Sequence, residues 1–162
     1  MKKNDVKLYN VIFPIWLLWL FPVTWIVVLP GNFIVDLLVV VLTMKWLKIK
    51  DIKGKTKSVI LKVWVFGFLA DFIGTAALLF SMVAAESADS LAAVAYNPFD
   101  NFFAFFWTAA CVILTAVCIY FFNYRYCLKK AELSDAEKKR LALSLAVFTA
   151  PYLFFMPTSL IY

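Results

Sequence analysis

The stretch GFLADFIGTAA, Gly67 to Ala77, sets one carboxylate, Asp71, in the middle of an apolar run that holds neither Lys nor Arg. The surrounding segment, Ser58 to Ala85, is free of closely spaced charge and exceeds the ~17 to 25 residues that a helix needs to cross ~30 Å of hydrocarbon. It reads as a membrane helix carrying a charge near its centre.

Working outward, 65% hydrophobic residues, 19% aromatics and a mean hydropathy of +0.88 in 162 residues set the chain apart from soluble domains. Five stretches have the length and composition of spans: 8–29, 32–47, 58–85, 99–124 and 141–162. The second is the shortest, since only Pro30 and Gly31 separate it from the first; a re-entrant hairpin of these two segments is the competing arrangement. The expected fold is thus an all-α integral membrane protein of about five transmembrane helices, forming a single polytopic domain over 1–162.

Charge tests that segmentation independently. The 16 basic residues fall in three groups: Lys2, Lys3 and Lys7, those from Lys45 to Lys62, and those from Arg125 to Arg140. These are alternate loops. The intervening connections, Pro30–Gly31 and Glu86 to Pro98, contain no basic residue. Short cytoplasmic loops collect Lys and Arg, so the expected topology is N-terminus cytoplasmic and C-terminus outside. The net charge of +6 then reflects orientation and contact with anionic lipid headgroups at the inner loops, and calls for no nucleic-acid partner.

The first apolar run exceeds the core of a signal peptide and no small-x-small cleavage site follows it, so it is expected to remain as a helix. Cys111, Cys118 and Cys127 include no C-x-x-C pair and read as soft packing residues. Leu133-Ser134-Asp135-Ala136-Glu137 has the spacing of a capping box, which starts the last helix before its apolar part at Leu141. The aromatic run Tyr96 to Trp107 reads as an interfacial belt.

At helical spacing Gly67, Ala70, Asp71, Gly74, Ala77 and Ser81 share one face, and Asn101, Ala104, Thr108, Cys111, Thr115 and Cys118 form a second small stripe. Such faces let membrane helices approach closely. The plain reading is helix packing, within the chain or against a second protomer. Asp71 adds more: it lies about 13 Å of helix rise beyond Lys62, near the bilayer centre, where a charged Asp costs at least ~2.5 kcal/mol. It is expected to be protonated, to hold a cation or water, or to accept hydrogen bonds from Thr108, Thr115 or Thr149. Asp36 is a second acid, expected one turn inside the outer end of the second span, where the helix dipole favours its charge. The two would make a stepped acidic path, Asp36 at the mouth and Asp71 at the centre.

No histidine is present, which removes the common zinc and haem ligand sets and the Ser-His-Asp triad; neither a P-loop nor G-x-G-x-x-G occurs. Neither catalytic residues, resident metal nor cofactor are expected, and an enzyme is not. The leading expectation is a cation or proton channel, or a small-solute transporter coupled to one. Asp71 and Asp36 would be its binding groups, with Gly67, Gly74, Ser81, Thr108 and Thr115 lining the pathway or the helix interfaces. The rival is an accessory, assembly or immunity subunit that works by helix packing. Either would act as a homo-oligomer or in a hetero-complex. Fourteen Lys against two Arg suit a bacterial plasma membrane.

Overall fold

The computed structural model describes residues 22–84, 94 and 97–157, and among these the chain is helical with no strand. The longer elements are α1, Pro22–Trp46; α2, Ile52–Ala84; α3, Phe102–Phe122; and α4, Asp135–Phe148. Beyond Phe122 the α3 rod continues as one π-helical turn, Asn123–Cys127, and a 3-10 turn, Leu128–Lys130. Among the described residues three helical stretches are long and apolar enough to cross a membrane: Trp25–Trp46, Ile52–Ser81 and Phe102–Lys130. Their outward faces carry Ile26 at 76% exposure, Phe80 at 73% and Phe102 at 81%. Water penalises exposed apolar surface by ~25 cal/mol per Å², a cost that lipid tails remove.

α1 overturns the expected break at Pro30–Gly31. The helix runs through Pro30, so the end of the first predicted segment and the whole second segment up to Trp46 form one rod. Where no water reaches the backbone, a turn leaves several N–H and C=O groups unpaired; continuing past Pro30 sacrifices about one bond. Trp64 of α2 braces the site by donating Nε1–H to Leu29 O at 3.1 Å, beside the proline. Residues 8–21 and the three N-terminal lysines lie outside the described residues.

α2 begins at Ile52, ahead of the expected Ser58, because Asp51 initiates it: Asp51 takes φ 51° and its Oδ1 accepts from Gly54 N–H at 3.2 Å. Gly54 therefore sits in the first helical turn. At its other end α3 is capped by Asn101, whose side chain accepts from Ala104 N–H at 2.7 Å. The capping box forms as the sequence indicates, with Ser134 N–H donating to Glu137 Oε2 at 2.8 Å and Glu137 N–H to Ser134 Oγ at 3.3 Å. The fifth expected span is different. α4 stops at Phe148, and after a bend at Thr149–Ala150 the chain makes only a 3-10 turn at Tyr152–Phe155. Pro151 lacks an N–H and disfavours α-geometry in the residue before it, which ends the helix there. Residues 158–162 lie outside the described set.

α2 packs on α1 and on α3, while α4 packs on α3 and on α1, closing a four-helix arrangement. Lys55 Nζ donates to Glu132 O at 2.9 Å, which brings the α1–α2 and α3–α4 loops, both basic, to one end of the bundle. The core has two halves. One, toward that end, centres on Val40, Val63, Ile119 and Leu145; the other joins Leu78, Cys111 and Val112 to Phe154. All three cysteines are free, and Cys111 and Cys127 are buried as packing residues.

Candidate intramembrane acidic site

The merging of two predicted segments into α1 moves Asp36. Far from a helix N-terminus, it stands about 15 Å of rise from the Trp46 end, deep within the helix, so the dipole no longer favours its charge. Asp36 is 6% exposed and faces α2. Its Oδ2 lies 3.6 Å from the point where a Cβ on Gly67 would stand. Gly67 thus provides the notch into which the carboxylate fits.

Asp71 is on the same helix as Gly67 and one turn further from the basic loops, about 6 Å along the axis. Asp36 and Asp71 are close enough to interact electrostatically. The expected order of a stepped path is therefore reversed and compressed: both carboxylates sit at mid-helix, and Asp71 is the one nearer the opposite end. Asp71 Oδ1 is enclosed without a hydrogen-bond partner. Neither acid has an ion pair with a described Lys or Arg; the ion pair observed is Lys139–Asp135, 2.8 Å, on the exposed start of α4.

The hydroxyls expected to satisfy Asp71 are engaged elsewhere or out of reach. Thr115 Oγ1 donates to Cys111 O at 2.9 Å and Thr149 Oγ1 to Leu145 O at 2.8 Å. Thr75 donates to the backbone carbonyl of Asp71 at 2.9 Å and leaves the carboxylate alone. Such i to i−4 bonds are how membrane helices satisfy Thr without a partner helix. Thr108 is fully buried with its Oγ1 unpaired.

Register explains the distance. A Cβ on Gly74 would collide with Thr115 Oγ1, so these residues meet across α2 and α3. Counting back along antiparallel helices, Ser81 is level with Thr108, and Asp71 with Cys118. The Phe66–Phe122 ring pair, 5.6 Å between centroids, confirms that register further down. Thr108 consequently stands about 15 Å of rise from Asp71's level. The seven residues singled out in the sequence therefore divide: Asp36, Gly67 and Asp71 come together between α1 and α2, whereas Gly74, Thr115, Ser81 and Thr108 belong to the α2–α3 seam. Ser81, 2% exposed, donates to Leu78 O.

Asn123 is the residue whose position sequence reasoning missed. Two residues before Arg125, it is fully buried at the start of the π turn, while Arg125 and Lys129 are exposed. The available signal was its spacing: it extends the Thr108, Cys111 and Thr115 stripe by two further turns. Among the described residues no group of three His, Cys, Asp or Glu side chains forms a metal cluster.

Two carboxylates about one turn apart, with no described Lys or Arg paired to either, are costly to bury in the ionised form. Comparisons with protein-family models, with curated proteins and with solved structures find no match to the chain.

Proposed function

We propose that the chain carries a small cation or a proton, or a small solute coupled to one, across a membrane, with Asp71 and Asp36 as the groups that bind the charge. The observation behind this reading is the pairing of two uncompensated carboxylates on adjacent helices, one of them with an enclosed and unpartnered oxygen. Acids retained inside a bilayer at such a cost usually face a pathway or cavity.

The small-residue seam bears on the rival reading of an accessory or assembly subunit. Gly74, Thr115, Cys111 and Thr108 are filled within the chain by α2–α3 packing and by Phe154. They are not free to receive a partner helix, so an accessory role would have to use the exposed outward faces of the bundle. With three apolar helices among the described residues, a complete pathway calls for a homo-oligomer or a hetero-complex. The two basic loops are assigned to the cytoplasmic face of a bacterial plasma membrane, in contact with anionic headgroups, on the asymmetry of Lys and Arg.

Flux into proteoliposomes tests the reading. Purified wild-type chain, reconstituted with pH and cation gradients imposed one at a time, should conduct, and Asp71→Asn should reduce flux at least tenfold with insertion unchanged. Undiminished flux in Asp71→Asn sinks the assignment.

A further inference from the structure

A third buried oxygen lies on the packed face of the α3 rod. Asn123 is 0% exposed; its Nδ2 donates to Ile119 O at 2.8 Å, and its Oδ1 has no partner. A buried amide oxygen without a donor is costly and calls for an explanation such as an unobserved water or ion.

Helix register places it. Gly74 opposite Thr115, with Phe66 against Phe122, makes Asn123 level with Val65 and Phe66. Asp36 comes from α1 to within one or two residues of that level, its Oδ2 against Gly67. Asn123 also lies on the buried face of α3, in line with Thr115 and Ile119, so it points into the bundle. Cys127, one turn on, is buried on that same face. Asp71 stands about 8 Å of helix rise above the level of Asn123, with its own unpartnered oxygen.

We propose that Asp36, Asp71 and Asn123 form a coordination site for a dehydrated hard metal cation, supplied with side-chain oxygens from three helices. The inference rests on the transport reading and narrows it from "cation or proton" to a metal ion. An amide oxygen cannot itself carry a proton near neutral pH; beside a protonated carboxyl it serves only as a hydrogen-bond acceptor. For a cation such as Na⁺ or Ca²⁺ it is a direct ligand, because carboxylate and amide oxygens are the ligands hard cations prefer. A divalent ion would neutralise both carboxylates; a monovalent ion would require one of them to be protonated.

The test is metal binding by the intact chain in lipid nanodiscs, followed by thermal unfolding. NaCl, KCl, CaCl₂ and MgCl₂ are titrated separately against choline chloride at constant ionic strength and pH. A ligand that binds only the folded form raises its stability with concentration. At least one metal should stabilise the wild type saturably. Asn123→Leu should raise the half-saturation concentration at least tenfold, and Asn123→Gln, which keeps the oxygen, should raise it less. If Asn123→Leu does not fold, Asp36→Asn must weaken binding by the same order. Absence of stabilisation by any of the four metals, or wild-type binding by Asn123→Leu, overturns the site. Proton-only flux that Asn123→Leu retains removes the metal site and leaves transport standing; metal binding without flux does the reverse.

Discussion

Gly74 of α2 and Thr115 of α3 meet so closely that a methyl group on Gly74 would overlap the Thr115 hydroxyl. Phe154 closes the same notch, its Cε2 3.0 Å from that point. Neither neighbour moves freely, since Thr115 is tied to Cys111 O and Phe154 is buried. Gly74→Ala should therefore destabilise the protein by about 1–3 kcal/mol, the usual cost of overpacking. At Gly67 the nearest atom is Asp36 Oδ2 at 3.6 Å, an ordinary contact, so Gly67→Ala should be nearly neutral. Thermal unfolding in detergent of both variants, and of Gly74→Ala combined with Thr115→Ala, checks the contrast. The second change should recover part of the loss, as expected for residues in direct contact.

The bond from Trp64 Nε1 to Leu29 O joins α1 to α2 where Pro30 weakens the α1 ladder. Phe33 packs edge-on against the same indole, 6.0 Å between centroids. Trp64→Phe keeps an aromatic ring there but removes the donor, and should cost about 1 kcal/mol, the net worth of one hydrogen bond. Trp64→Leu should cost more, since it also removes the ring contact. The comparison is again an unfolding midpoint, with wild-type helix content as the control for insertion.

Legibility in the sequence followed the range of the physics involved. The membrane character and the Ser134–Glu137 box depend on composition and on residues three apart, and both were readable. The small stripes at Gly74 and Thr115 were readable too, because a face repeats every 3.6 residues. Pro30–Gly31 was misread as a turn because its local preference is for breaking a helix, whereas the absence of water around the backbone favours continuing it. That single change carried Asp36 from a mouth to mid-helix. Asn123 did not stand out because basic residues follow it closely; only the packing of α2 on the π turn, with Phe66 stacked on Tyr126 at 5.8 Å, draws that turn into the bundle.

The exposed start of α4 gives the stability a dependence on acid pH. Hydrogen bonds from Lys139 and then from Tyr124 hold the Asp135 carboxyl below its usual 3.8, and the Ser134 hydroxyl and backbone N–H hold Glu137 below its usual 4.5. Carboxyls whose values are lowered on folding contribute stability that is fully present above their unfolded values and is lost as pH falls through the folded ones. The α4 end should thus be unaffected from neutral pH down to about 4.5 and fray below it. Ser134→Ala removes the first and largest cause for Glu137, so the acid-dependent loss should shrink. Amide hydrogen exchange at the Asp135–Arg140 turn, measured across pH 3 to 6 in both proteins, would reveal the difference; identical profiles would mean that the box adds nothing there.

Asp71→Asn separates a working carboxylate from a structural one. If the acid were an interface residue, its carboxylate would be held by donors, and replacing it would leave those donors unmatched. Instead Asp71 Oδ1 has no hydrogen bond, and the neighbouring hydroxyl of Thr75 is committed to the backbone. Asparagine has nearly the same shape and carries no charge to bury beside Asp36. The variant should therefore unfold at the wild-type temperature or above it, while flux in proteoliposomes falls at least tenfold. A fall in both would indicate that the side chain supports the fold, and a wild-type flux would show that the charge is not needed for transport. Asp36→Asn should behave in the same way, since its carboxylate shares the depth and the missing counter-charge, and similar losses in the two single variants with no further loss in the double would mark them as one site.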